Sequence, residues 1–150
     1  MSLALQLALA IQTANHSLPA RQARRLAAVV MEQSAERQLD PWLLYELVYR
    51  ESRWTPTALR REWDGTCSVG LGQINVACDK DAIAPFFDPV VNLRKIGEYL
   101  EHFRKSCKQD CEGGLWLRGY NPGSSTYAPA ILAAVAKRHH PGAHTEARKR

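Results

Sequence analysis

A carboxylate in an unusual place is the first chemical signal in this chain. Leu44, Leu47 and Val48 form an apolar stripe at helical spacing, and Glu51 falls on the same stripe, seven residues after Leu44 and four after Leu47. Desolvating a carboxylate is costly, so a core-facing stripe rarely carries one. A Glu held there tends toward a raised pKa and keeps its proton near neutrality, which is the property a general acid requires. The competing reading is a stripe-edge Glu neutralised by Arg50 or Arg53.

Other polar and small residues follow in a definite order. Glu51-Ser52 closes a helical segment, and Gly70-Leu71-Gly72-Gln73-Ile74-Asn75 comes next. Asn92-Leu93 and Gly97, Tyr99 and Leu100 lie on a later helix, and Tyr120-Asn121-Pro122-Gly123 precedes the last one. In this order and spacing the set resembles the soluble lytic transglycosylases and their goose-type lysozyme relatives, whose pattern is Glu-Ser, Gly-Leu-x-Gln and Tyr-Asn-x-Gly. The resemblance covers about residues 40–137. The Gln-Ile-Asn ending is most similar to specialised members serving secretion, conjugation or phage systems.

The resemblance implies a mostly α, lysozyme-like (α+β) fold and a peptidoglycan substrate, cleaved without metal or cofactor. Glu51 is implied as the acid that protonates the oxygen between N-acetylmuramic acid and N-acetylglucosamine, with Tyr120 orienting it. Ser52, Gly70, Leu71, Gln73 and Asn121 are implied to line the sugar site. Gln73 offers an amide donor and acceptor to an acetamido group. Gly70 and Gly72 are expected to let the backbone approach the glycan. Asn121 is expected either to fix the turn or to act at the site. A two-carboxylate hydrolase needs a second carboxylate. Asp64 and Glu62 are the candidates, although Asp64-Gly65 reads more simply as a turn. Anhydro product formation is therefore expected, with a goose-type hydrolase or a non-catalytic peptidoglycan-binding module as alternatives.

These residues need elements to hold them, and helical signals dominate. Helices are expected over residues 3–15 and 19–38, from Asp40-Pro41 onward, from Asp88-Pro89 onward, and over about 125–137. Asp supplies the N-cap of the third and fourth, and Pro their first helical position. Between residues 54 and 87, and again over 113–123, the helical period is lost and Gly clusters. These two irregular stretches are expected to wall a cleft, with Trp54, Trp63, Leu71 and Ile74 arguing against disorder in the first. The expected organisation is one globular domain over residues 1–150: N-terminal helices over 1–38, the family-like core, and a polar tail over 139–150.

With 150 residues, 45% apolar and 23% charged, the composition is that of an ordinary globular chain. A net charge of +5 is modest and its basic residues are scattered, which disfavours a nucleic-acid partner. No apolar run reaches membrane-spanning length. Leu3 to Ile11 lacks a preceding Lys or Arg and is read as a helix of the fold rather than a signal peptide. A periplasmic or wall-facing location is expected. Cys67, Cys78, Cys107 and Cys111 permit disulfides or buried thiols. Cys67 and Cys78 bracket the Gly-Leu-x-Gln segment and are the favoured pair; Cys107 and Cys111 can pair only if the helix ends between them. A zinc site with His102, Cys107 and Cys111, and a Cys67 nucleophile with His102 as base, are the rival chemistries.

Overall fold

The structure is a computed structural model describing residues 1–109 and 111–141. Among the described residues there are six α-helices: α1 (Leu3–Ala14), α2 (Ala20–Arg37), α3 (Pro41–Ser52), α4 (Lys80–Ile83), α5 (Pro89–Ser106) and α6 (Tyr127–His139). The caps explain where the central ones begin. Asp40 accepts a hydrogen bond from the Trp42 N–H, and Asp88 accepts from Val90 and Val91, each followed by Pro at the first helical position. The helix α6 runs to His139, so the expected polar tail starts later than residue 139; a hydrogen bond between the His139 ring and Asp40 Oδ2 at 2.6 Å ties this end to the α3 cap. Residues 142–150 of that tail lie outside the described residues.

The expectation of irregular walls is corrected. The first stretch folds into an antiparallel sheet, β1 (Leu59–Arg61), β2 (Thr66–Val69) and β3 (Ile74–Ala77), in the order β1-β2-β3. Leu59 pairs with Val69 and Arg61 with Cys67, while Cys67 also faces Val76. Asp64-Gly65 turns the first hairpin: Gly65 has φ of 87°, a left-handed conformation that favours glycine, and Asp64 accepts from the Thr66 N–H. The second stretch is largely 3₁₀-helical over Glu112–Gly119.

The buried apolar residues form one cluster drawing on α1, α2, α3, α5 and α6, with Leu7, Leu26, Leu44, Leu47, Trp54, Leu71, Leu93 and Ile96 essentially inaccessible. Helix α1 is integral to it: Leu7 and Ile11 are fully buried, and Asn15 at its end donates to the Trp54 carbonyl at 3.0 Å. No helix among the described residues is long and apolar enough to cross a membrane.

Both disulfides form. Cys67–Cys78 closes β2 onto the residue after β3, with Cα atoms 5.0 Å apart. Cys107–Cys111 forms because α5 ends at Ser106, leaving Cys107 extended as its C-cap. The thiol-nucleophile and zinc readings therefore fail, since Cys67 and Cys107 carry no free thiol.

Candidate active site

Helix α3 carries two glutamates in different electrostatic situations. Glu46 is buried and paired with Arg138, Nε to Oε1 at 2.8 Å. Glu51, five residues on, has no ion pair among the described residues. The arginines that might have neutralised it are turned elsewhere: Arg50 lies over the Tyr127 ring and Arg53 over the Tyr49 ring. What reaches Glu51 is a hydroxyl, as Tyr127 donates to its Oε1. Burial raises the Glu51 pKa above the ordinary carboxylate value, outweighing the Tyr127 hydrogen bond and the more distant charges of Arg60 and Arg50, which pull it down. Such a group holds a proton that an exposed Glu would have lost.

The tyrosine at Glu51 is thus not the expected one. Tyr120 donates instead to the Gly72 carbonyl at 2.7 Å, bracing the second loop stretch against the first. Its ring stacks parallel to that of Tyr127, centroids 6.3 Å apart. Burial, followed by the nearby Glu51 charge, raises both phenol pKa values, so both remain neutral donors.

The Gly70–Gln73 segment lies against the end of α3. The Ser52 hydroxyl donates to the Leu71 carbonyl at 2.8 Å, fixing the residue next to Glu51 onto this turn. Ser52 is therefore a tie between elements, and its hydroxyl is already engaged. Leu71 is fully buried, so its side chain does not line a sugar site as expected. The glycine expectation is also corrected. A Cβ on Gly70, which has φ of 71°, would collide with the Asn92 side chain and the Phe86 carbonyl, and one on Gly72 would collide with Ile96 and lie 2.8 Å from the Tyr120 hydroxyl. The close approach these glycines permit is by the protein's own chain.

Asn92, fully buried on α5, organises this turn. Its Oδ1 accepts from Gly72 N–H at 2.8 Å, and its Nδ2 donates to the Val69 and Phe86 carbonyls, each at 2.9 Å. Gln73 adopts a left-handed φ of 51° and donates from Nε2 to the Gly70 carbonyl at 3.1 Å; its Oε1 accepts nothing among the described residues. Asn121 is exposed in the turn before α6, where its carbonyl accepts from Ser124 N–H.

The other two carboxylates are committed. Glu62 accepts from Ser68 and from Arg60, and both hold its pKa below the usual value. Asp64 accepts from the Thr66 hydroxyl at 2.7 Å and its N–H at 2.9 Å, which likewise lower its pKa. No cluster of three or more His, Cys, Asp or Glu able to hold a metal exists among the described residues.

A mostly helical body with a three-stranded antiparallel sheet beside a half-buried glutamate at a helix end defines a lysozyme-like fold. A family model for the transglycosylase SLT domain matches residues 28–139, and the chain belongs to this family. The family function is lytic-transglycosylase-type cleavage of peptidoglycan. The match begins within α2, earlier than the sequence resemblance near residue 40. No curated protein and no solved structure matches the chain.

Proposed function

We propose that this protein cleaves the β-1,4 bond between N-acetylmuramic acid and N-acetylglucosamine with formation of a 1,6-anhydromuramic end, using Glu51 as both acid and base. The observation that carries the proposal is the state of the Glu51 carboxyl: half-buried, raised in pKa and hydrogen-bonded to a neutral hydroxyl rather than to a cation. Protonated Glu51 gives its proton to the leaving glycosidic oxygen as the C1–O bond breaks. The resulting carboxylate then accepts the proton of the muramic C6 hydroxyl while that oxygen bonds to C1. Glu51 is thereby reprotonated and no water is consumed. The attacking hydroxyl belongs to the substrate, so ring closure has the advantage of an intramolecular nucleophile. The commitments of Glu62 and Asp64 within the hairpin support this route over one needing a second free carboxylate.

Gln73 Oε1 is the proposed acceptor for an acetamido N–H, and exposed Asn121 is a further proposed polar contact. Two disulfides support residence in an oxidising, wall-facing compartment such as the periplasm. The Gln73-Ile74-Asn75 ending supports service to a secretion, conjugation or phage apparatus.

The test is digestion of purified peptidoglycan with mass analysis of the products. Anhydro ends, lighter by one water than reducing ends, are the expected result. Reducing ends together with inactivity of Asp64→Asn would instead assign a goose-type hydrolase, and no released glycan would leave a binding module.

A further inference from the structure

Three of the four tryptophans pack inward, whereas Trp63 is 98% exposed at the tip of the β1–β2 hairpin. The stretch is ordered, as its apolar residues suggest, but Trp63 contributes nothing to that order through burial. An indole left in water forfeits a large burial gain. The tip that presents it is nonetheless firmly built. Glu62 N–H donates to the Thr66 carbonyl at 2.8 Å and Gly65 N–H to the Glu62 carbonyl at 3.2 Å. Asp64 grips Thr66 twice, Asn75 Nδ2 donates to the Thr66 hydroxyl at 2.7 Å, and the Cys67–Cys78 bond lies directly behind. An aromatic on such a frame is held ready for contact at little ordering cost.

The hairpin is rooted in the candidate site. Ala58, immediately before β1, accepts from Gly70 N–H at 2.7 Å and from Gln73 Nε2 at 3.5 Å. Trp63 lies five residues beyond Ala58, so it is at most about 17 Å from that anchor. A polymer crossing the site reaches that far within a few sugars. We infer that Trp63 is a distal glycan platform, stacking its indole face on the C–H face of a pyranose several sugars from the bond cleaved. The inference rests on the glycan-cleaving reading above. Its surroundings favour a sugar over a protein partner. The hairpin contacts of Glu62 and Asp64 use only Glu62 Oε1 and Asp64 Oδ1, so the second oxygen of each beside Trp63 is left to accept from the hydroxyl edge of a sugar, whereas a protein interface core needs contiguous apolar area.

The test compares wild type, Trp63→Ala and Trp63→Phe on soluble uncrosslinked glycan strands of graded length. Trp63→Ala should raise KM on long strands about tenfold, near the upper range for one aromatic contact, with kcat and the melting temperature unchanged. Trp63→Phe should recover most of the loss, and the shortest cleavable strands should not distinguish the three proteins. In a Glu51→Gln background, long strands should shift the tryptophan fluorescence, and adding Trp63→Phe should remove the shift. Unchanged KM and unchanged strand affinity in Trp63→Ala would overturn the platform while the cleaving function stands. Length-dependent binding through Trp63 without any glycan release would keep the platform and sink the proposed reaction.

Discussion

The hydroxyl of Tyr127 donates to Glu51 Oε1 across 76 residues of sequence, joining the first turn of α6 to the last turn of α3. The same ring carries Arg50 on its face and stacks on Tyr120. One phenol thus sets the direction of the carboxyl and keeps an arginine occupied at a distance from it.

Glu51→Gln should cost roughly 10²–10⁴-fold in turnover, because the near-isosteric amide has no proton to give. It should also stabilise the protein at neutral pH. The folded state raises the Glu51 pKa above its ordinary 4.5, so between that value and the raised one the folded state binds more protons than the unfolded. Stability of the wild type therefore falls as pH rises through this window and is flat above it. The variant lacks that loss, so its melting temperature should exceed the wild type's at pH 7 and converge with it below pH 4.5. Equal melting temperatures at both pH values would remove the case for a desolvated carboxyl.

Tyr127→Phe tests positioning through the pH profile. Activity of a protonated acid declines on the alkaline side as Glu51 ionises. The Tyr127 hydrogen bond lowers the Glu51 pKa, so its removal should move that limb to higher pH. The turnover rate should fall about tenfold, which corresponds to the lower end of the roughly 1.5–3 kcal/mol of a hydrogen bond to a charged group. Tyr120→Phe should leave the limb nearly in place, since that hydroxyl serves the Gly72 carbonyl. A shift in the Tyr120 variant and none in the Tyr127 variant would reverse the assignment.

Asn92→Leu leaves Gly72 N–H and the Val69 and Phe86 carbonyls without their partner in a buried place. Each orphaned group costs about 1–3 kcal/mol, so denaturant midpoints should drop sharply. Asn92→Asp keeps the acceptor but loses the amide donor, and should be destabilised as well. A midpoint within error of wild type for both would show that the turn is held by other means.

Removing Cys67 and Cys78 together by serine substitution should cost about 3 kcal/mol, the model-dependent figure for a loop of this size. The Cys107–Cys111 pair closes a much shorter loop and should contribute less. Thermal melts of the two double variants, with and without reductant, separate the contributions.

Much of this architecture can be read from local chemistry. Asp40-Pro41 and Asp88-Pro89 announce two helix starts because capping is a matter of adjacent residues. Glu51 stands out because a charge on an apolar stripe contradicts its neighbours. The strands escape such a reading because three or four residues are too few to establish a period of two, and their stability comes from one another and from the Cys67–Cys78 bond. Tyr127 shares a stripe with Ile131 and Val135 and looks like core, which its ring is; only its oxygen meets Glu51. Gly70 and Gly72 signal a close approach, but not whether a ligand or the chain itself makes it. Asn92 gives no local sign that it organises a turn 20 residues away.

Helix α1 lies wholly before the family match at residue 28, yet its Leu7 and Ile11 are inside the core, its Ala10 carbonyl accepts from the Tyr45 hydroxyl, and its Asn15 holds the Trp54 carbonyl. Arg53 and Trp54, which end the helix bearing Glu51, are consecutive non-glycine residues with φ of 50° and 60°. A backbone of that kind persists only when its surroundings hold it there. The packed core therefore extends beyond the residues that the family model matches. A fragment cut at the family boundary would surrender a clamp on the acid's own helix, and mutations in α1 should reach the reaction through that clamp without ever meeting the glycan.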